Sequence, residues 1–510
     1  MKFSIAFVAL ALCLAGVTVA SPGLKLAATP AIFNDFAKNF VPQLLDQLGP
    51  IKVPDTKLVG FNIKDITLHK MTLSGKDTQI TFAEGHGALS ASNFGLRMTF
   101  FIEGKVFGLI PVHFTTGGTS NQSELHLDIA FGYKDSFVQI NLKDLKLQIR
   151  NLVMEFPKDT LGNIVSAITN LLRDPIQDTV SFLVSDVLKG VIQNVINNLF
   201  TQIPKVGPIP GTPLGVNFQA TQMPVINSKY VLAHINGTFF NLEKGFFIPS
   251  VDPPVDTPDF DEVSNKTVQA VITEYTINTL MDGFWKSGIM GGNVTQDIIP
   301  KEAGLKLTVG WLKQFIPNIS QYFPNDNNEL ILNIVVNSAP VLKITPGDIG
   351  VTMGLALTFY VKKDDATVAQ AVSVSSTINL HANATIDSWV LKPYIIGGSF
   401  GAFTILSSQV GDFDPSKFQA GLNIILMFAL PGFNFAQPAF PLPAVPGVNV
   451  TSLTLDTQPG YLKVQVSPTF TTVNIKELLQ QDFSLNDYAV PFDESVYEEM
   501  YAAELEYFGF

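Results

Sequence analysis

The sequence predicts an α+β fold in two elongated halves, and three observations carry that expectation. Apolar residues recur at helical spacing over long stretches, short runs alternate apolar with polar residues, and a proline-rich segment divides two sets of them. The order is helix, strands, helix, linker, helix, strands, helix, strands. It repeats the architecture without obvious repetition of residues.

The opening residues are not expected in the fold. Lys2, the apolar run from Ile5 to Ala15 and the end Val17-Thr18-Val19-Ala20 describe a cleavable secretory signal over residues 1–20. The run is shorter than the ~20 residues a membrane span needs. The mature chain is expected to start near Ser21, in the extracellular space or in the lumen of a secretory, lysosomal or phagosomal compartment. The lone cysteine, Cys13, falls in the signal, so no disulfide is expected. Sequons at Asn121, Asn236, Asn265, Asn293, Asn318, Asn383 and Asn449 agree with this route and are candidate glycosylation sites.

Ile32, Phe33, Phe36, Phe40, Leu44 and Leu48 recur at three- and four-residue steps until Gly49-Pro50, which predicts an amphipathic helix. From Ile51 to about Phe156 the texture is that of half-buried antiparallel strands, as where Leu125, Leu127 and Ile129 alternate with His126 and Asp128. The strongest periodicity follows. Leu161, Ile164, Val165, Ile168, Leu171 and Leu172 are continued by Ile176, Val180, Leu183, Val184, Val187, Leu188, Val191, Ile192, Val195 and Leu199. Roughly 40 helical residues make a rod of about 60 Å, which Pro175 is expected to interrupt or kink near Asp174.

Strand texture over residues 203–262 ends in Val251-Asp-Pro-Pro-Val-Asp-Thr-Pro-Asp-Phe260, read as a stiff linker. Its Asp252, Asp256 and Asp259, with Asp261, lack the glycine and glutamate of a calcium loop and are expected to be solvated. A helix through Val268, Val271, Ile272, Tyr275 and Thr279 comes next. Strands follow that include Leu305–Val309 and Leu330–Val336. A helix over about Pro415–Leu430, apolar nearly all round, precedes a hairpin of Val450–Leu455 and Tyr461–Ser467 that turns at Pro459-Gly460.

Apolar residues make up 46% of the chain and charged residues 15%, with 40 Phe and three Arg. No stretch after the signal is long enough to span a membrane, so the apolar excess either packs solid or encloses a hydrophobic ligand. The net charge of −12 is concentrated at the end, where Glu477 to Phe510 holds nine acidic residues and no Lys or Arg. Residues 21–205 hold 17 basic and 16 acidic side chains, and 206–476 hold 14 and 19. A body without a basic stripe makes nucleic acid an unexpected partner. The acidic tail reads as solvated, although Tyr497, Tyr501, Leu505 and Phe508 could share one face of a helix that plugs a pocket mouth.

No enzyme active site is expected. Gly397-Gly-Ser-Phe-Gly401 fits the G-x-S-x-G pattern, but the following residues, Ala402 to Val410, read as a strand. The last histidine, His381, lies upstream. The six histidines are scattered, none paired at metal-ligand spacing, so neither a metal nor a cofactor is expected.

Ser21-Pro-Gly-Leu, Ile51-Lys-Val-Pro-Asp55, the proline linker, Ile299-Pro-Lys-Glu-Ala303, Leu312-Lys-Gln-Phe-Ile-Pro317, Tyr322-Phe-Pro-Asn325 and Phe440-Pro-Leu-Pro443 fall in a telling order. As an ordered set, spread over residues 21 to about 470, they resemble a known group. It is that of bactericidal/permeability-increasing protein, lipopolysaccharide-binding protein and cholesteryl ester transfer protein, the tubular lipid-binding superfamily. The resemblance implies two barrel-and-long-helix domains joined by a central antiparallel sheet into a boomerang, each with an apolar pocket for acyl chains. On that reading residues 21–205 form the first domain, 206–262 the central sheet and linker, 263–476 the second domain and 477–510 the tail.

Lipid carriage makes a plain physical demand, since each CH₂ of an acyl chain left in water costs about 0.8 kcal/mol. Candidate lining residues are Ile32, Phe36, Phe40, Leu44, Leu183, Val187 and Val191 in the first half. In the second half they are Val271, Tyr275, Leu422, Ile425 and Leu426, and ordinary core packing competes with this role at each position. The expected ligand is a bound lipid of phospholipid type, and the expected partners are membrane or lipid-particle surfaces. Lipopolysaccharide binding in antimicrobial defence and a permanently bound structural lipid are the alternatives. The sequence departs from the family in lacking its N-terminal disulfide, in its balanced first half and in its acidic tail.

Overall fold

The computed structural model describes residues 22–470, apart from 48–49, 59, 107–108, 135–136, 159–161, 202–205, 210–211, 220, 244–251, 255, 260–267, 289, 298, 300–305, 388–389, 424–425, 427–439 and 442–447. The signal segment and the acidic tail, with its Tyr497, Tyr501, Leu505 and Phe508, lie outside the described residues.

Strand β1 (Leu24–Ala28) leads through Thr29 into helix α1 (Pro30–Gln47). Five principal strands follow: β2 (Phe61–Thr72), β3 (Thr78–Ala83), β4 (His86–Val106), β5 (Ile110–Lys134) and β6 (Phe137–Gln148). Helix α2 (Gly162–Thr201) then runs for 40 residues. Strands β7 (Val231–Ile235) and β8 (Val268–Thr273) lead to helix α3 (Glu274–Lys286). The second half holds β9 (Leu330–Val336), β10 (Val341–Thr345), β11 (Asp348–Lys362), β12 (Val368–Asp387), β13 (Val390–Phe400) and β14 (Thr404–Ser408). Helix α4 covers residues 415–423, and the hairpin of β15 (Val448–Gln458) and β16 (Tyr461–Phe470) closes the described chain.

The fold is mixed α+β. One eight-stranded antiparallel sheet is built on the order β2, β4, β5, β6, and a second on β9, β11, β12, β13. Each carries its own apolar core. A third sheet, of six strands, takes its members from four distant parts of the chain, in the order 225–226, β7, β1, β8, β16, β15. Its middle is an antiparallel pair, β1 against β8, with Leu26 opposite Ala270. Strand β7 flanks one side and β16 the other.

Three local expectations are corrected. Val268, Val271 and Ile272 belong to strand β8 and not to a helix; the helix begins only at Glu274, with Thr273 as its N-cap. The spacing of the three residues suits a helix, but β-branched side chains between two partner strands favour the sheet. Of the expected strand Leu305–Val309, Leu305 lies outside the described residues and the rest is not a strand either. Thr308 makes a single bridge to Glu329, and Val309–Leu312 is a helical turn. Pro175 does not end α2, which continues through it; one missing N–H is tolerated where the apolar stripe on either side holds the helix to the sheet.

The described part of α4 also has a solvent face, since Ser416, Lys417 and Ala420 are exposed. Asp414 caps it by accepting from the Ser416 amide at 3.0 Å. The Ser416 hydroxyl and amide together hold the Asp414 carboxyl below the usual carboxylate range.

A residue-level repeat accompanies the architectural one. Asn34 stands five residues after Thr29, and Asn278 five after Thr273. Each asparagine amide pairs with both backbone groups of one strand residue. Asn34 Oδ1 accepts from the Ile80 amide (2.6 Å) while its Nδ2 donates to the Ile80 carbonyl (2.8 Å). Asn278 does the same with Leu342, at 2.7 and 2.9 Å. Asn423 on α4 clamps Phe400 similarly, at 2.6 and 3.5 Å.

Helix α2 extends the principle along a whole edge. Gln177, Ser181, Ser185 and Gln193 accept from the amides of Leu152, Ile149, Leu147 and Leu142. These helices thus stand where a further strand would otherwise be needed to satisfy the sheet. Replacing Asn278 by alanine leaves two backbone groups without partners and is expected to destabilise the protein by about 2 kcal/mol. Urea unfolding followed by circular dichroism measures it, and a midpoint equal to wild type would show that water replaces the amide.

Candidate functional site

In the first half, the candidate site is the seam between α1, α2 and their sheet. The inward stripe of α2 is sealed: Ile168, Leu172, Ile176, Val180, Val184 and Leu188 are at most 1% exposed. Leu183 and Val187, one helical turn apart on the flank of that stripe, are only partly buried against the same core. From α1, Ile32 and Phe33 are buried, and Phe33 meets Phe82 of β3 edge to face at 4.9 Å. Half-buried apolar groups also rim the sheet, among them Phe114 and Phe156 at 5.7 Å. Of the residues singled out from the sequence, Ile32, Leu183 and Val187 therefore share this core. The side chains of Phe36, Phe40, Leu44 and Val191 lie outside the described residues.

In the second half the core is aromatic. Phe418 on α4 is fully buried, with the rings of Phe403, Phe359, Phe413 and Phe315 at 5.3, 5.8, 5.9 and 6.5 Å, all near edge to face. Leu422 is buried in this cluster and Leu426 packs half-buried against it. Gly421 is required by Phe315, whose ring would lie 2.0 Å from any β-carbon there.

Ile425 lies outside the described residues. Val271 and Tyr275 do not join Leu422 and Leu426 in this core. Val271 sits in the six-stranded sheet, and the Tyr275 hydroxyl on α3 bonds that of Thr238 at 2.7 Å. Sequence reasoning missed the phenylalanine hub, although Phe400, Phe403, Phe413 and Phe418 are unusually dense in the chain.

A buried lysine lies in neither seam. Lys25, on β1, has a side chain only 4% exposed. It donates to the Thr257 carbonyl (2.5 Å) and to Asp259 Oδ1 (2.8 Å), with Asp256 at 3.7 Å. The proline linker is thus docked on the six-stranded sheet through Thr257 and Asp259, which corrects the expectation of a simply solvated segment at Asp259; Asp252 and Asp256 remain exposed, as expected.

His234, opposite Lys25 in the sheet, has Nε2 3.6 Å from the same Asp259 oxygen. Burial first, and then the charge of Lys25, push its pKa down. Burial works against the Asp259 carboxylate, but the hydrogen bond and charge of Lys25, followed by His234, outweigh it and hold that carboxyl below its usual range.

The G-x-S-x-G segment lies along strand β13, with Ser399 paired to Asn379, where a nucleophile would need a strand-to-helix turn. Its upstream histidine, His381, is bonded to Asp348 at 2.8 Å. Among the sequons, Asn121, Asn293 and Asn318 are exposed, while Asn236 and Asn383 are half-buried. The Asn265 residue and the Asn449 side chain lie outside the described residues.

Comparison with known proteins agrees with this architecture. Human lipopolysaccharide-binding protein (Homo sapiens) is 28% identical over 203 residues, 39% of this chain and 42% of that protein. The bactericidal permeability-increasing protein of Sebastes schlegelii is 20% identical over 262 residues, 50% of this chain and 53% of that protein. The chain thus spans about half the length of the curated relatives it matches. The crystal structure of lipopolysaccharide binding protein superposes with a TM-score of 0.50 at 17% identity, covering 89% of this chain and 100% of that one, a likeness of fold. The family model of the LBP / BPI / CETP C-terminal domain matches residues 211–469, half of the chain, and this protein therefore belongs to the LBP / BPI / CETP family.

Proposed function

We propose that this protein is a secreted, non-catalytic carrier that holds the acyl chains of a phospholipid or similar lipid in the seams between its helices and its two large sheets. The observation that supports this reading is the graded burial across α2. Val180, Val184 and Leu188 are sealed, whereas Leu183 and Val187 beside them are left partly open. An open apolar flank next to an apolar sheet is where an acyl chain gains most by leaving water. The head group would remain at the mouth. Leu422 and Leu426, beside the aromatic core, offer the equivalent seam in the second half. Lipopolysaccharide, for which several relatives are named, is the second reading, because its acyl chains make the same demand.

Protein recovered from a secretory host is expected to show lipid adducts by native mass spectrometry. It is also expected to move labelled phospholipid between vesicles faster than spontaneous exchange. Changing Leu183 and Val187 together to Asp should cut lipid content at least tenfold with the circular dichroism unchanged, since a carboxylate among acyl chains costs several kcal/mol. Wild-type protein that carries no lipid would overturn the carrier reading, and bound lipid that never exchanges would favour a permanent structural lipid.

A further inference from the structure

We propose that Asn293 carries an N-linked oligosaccharide that lies across the outer face of the sheet built on β9, β11, β12 and β13 and guards its edge. This rests on the secretory part of the carrier reading and goes beyond it to a site and a use. Asn293 belongs to the short strand Gly291–Val294, which pairs with β9 and on its far side with no strand among the described residues. Asn293-Val-Thr295 is a sequon, and the asparagine is exposed. Its Oδ1 accepts from Asn333 Nδ2 at 2.8 Å, which turns the sequon nitrogen, Asn293 Nδ2, away from Asn333.

The register runs a row of uncharged polar side chains from this asparagine across the sheet. Asn293 stands opposite Asn333 on β9, Asn333 opposite Thr358 on β11, Thr358 opposite Ser373 on β12, and Ser373 opposite Ser407 on β14. The row faces outward, because the alternate residues Leu332, Leu357, Phe359, Val372 and Val374 point into the core. Thr358 and Ser373 share a hydrogen bond at 2.9 Å, and Gln370 donates to Ser407. The flanking rows, Ile331, Tyr360 and Gln370 on one side and Val335, Ala356 and Ser375 on the other, hold no charge either.

A sheet face in water ordinarily mixes charges of both signs, as the first large sheet does with Lys64 beside Glu103 and Lys146 beside Asp144. A charge-free face of hydroxyls and amides suits a neutral sugar instead, since it offers donors and acceptors in line, with the Tyr360 ring as apolar area. At about 4.8 Å between strands the row is about 19 Å long, room for a short oligosaccharide to lie along it. In the attachment, a bond forms between Asn293 Nδ2 and the anomeric carbon of the sugar. The carbon–oxygen bond to a polyprenyl pyrophosphate donor breaks, and the amide proton leaves with the pyrophosphate. The sugar then shields the open side of Gly291–Val294, where an unpaired strand would otherwise recruit a second chain.

Two measurements on the full chain from a secretory host test this: glycopeptide mass spectrometry, and digestion with an endoglycosidase that cuts between the first two sugars. Asn293 is expected to be occupied, and its sugar to be released at least tenfold more slowly from the folded protein than from the denatured one. Tyr360→Ala with Gln370→Ala should bring release from the folded protein close to the denatured rate, with the circular dichroism unchanged. Thr295→Ala removes the sugar but keeps the Asn293–Asn333 hydrogen bond, and that protein should self-associate in sedimentation velocity where wild type does not. An unmodified Asn293 beside an occupied Asn121 would overturn the proposal and leave the secretory reading intact, whereas sugar at no sequon would remove both. Equal release from folded and denatured protein, or slow release that survives the double variant, would overturn the docking of the sugar on this face. Self-association of wild type with its sugar in place would overturn it in favour of a second copy of this chain. Wild-type protein that carries no lipid, yet protects this sugar, would leave the proposal standing while removing the carrier reading.

Discussion

Phe418→Ala is expected to lower stability by about 4–5 kcal/mol, with the loss confined at first to the second half of the molecule. Truncating a fully buried phenylalanine costs about 3–5 kcal/mol in transfer and cavity energy. Phe418 also holds four edge-to-face partners, Phe403, Phe359, Phe413 and Phe315, and such pairs add about 0.5–1.5 kcal/mol each beyond burial. Full relaxation is hindered because Phe315 is wedged over Gly421, where any added atom would strike the ring. The chain supplies its own reporter: Trp285, Trp311 and Trp389 all lie in the second half. Urea unfolding should show the fluorescence midpoint falling well ahead of the circular dichroism transition. Coincident curves, shifted equally, would mean that the six-stranded sheet couples both cores into one unit.

That core shows what could and could not be read from the sequence. Helices α1 and α2 were legible because their apolar residues keep a 3.6-residue period over many turns. The β15–β16 hairpin was legible at Pro459-Gly460 for the same local reason. Strand β1 was not. Five residues, Leu-Lys-Leu-Ala-Ala, carry no period, and their partners lie more than 200 positions away. Val268–Thr273 misled because three- and four-residue steps in a short run fit either state, and the deciding partners, β1 and β16, are again remote.

The candidate site divides along the same line. The flank of α2 that carries Leu183 and Val187 follows from helical spacing. Whether it faces a sealed core or a part-open seam depends on where the sheet ends. The polar residues Gln177, Ser181, Ser185 and Gln193 stand at multiples of four residues in the sequence, yet only the chain edge that runs along β6 and on to Leu152 gives them a purpose.

Lys25→Met is expected to destabilise the protein by about 2 kcal/mol and to free the proline linker. Breaking a fully buried ion pair costs about 3–5 kcal/mol. The smaller figure applies because Asp259 is 47% exposed and keeps part of its hydration. Methionine fills the lysine's volume in the sheet, so the loss should localise to the contacts with Thr257 and Asp259. Faster cleavage between residues 252 and 259 in limited proteolysis would report it, and cleavage unchanged from wild type would refute the docking.

The same cluster sets a pH dependence. His234 is depressed in the folded state, so below about pH 6.5 the unfolded chain takes up a proton that the native state refuses, and stability falls as pH falls. Asp259 is also depressed, and its contribution is present above about pH 3.8 and lost below it. Asp256 faces the same lysine, and Lys463 and Asp456 continue the Lys25–His234 row in register across β8, β16 and β15. The unfolding midpoint should therefore be level at neutral pH, decline below 6.5 and decline further below 4. His234→Gln should abolish the first decline and keep the second, whereas Lys25→Met should blunt the second. A first decline that survives His234→Gln would assign it to another histidine and remove His234 from this pH dependence.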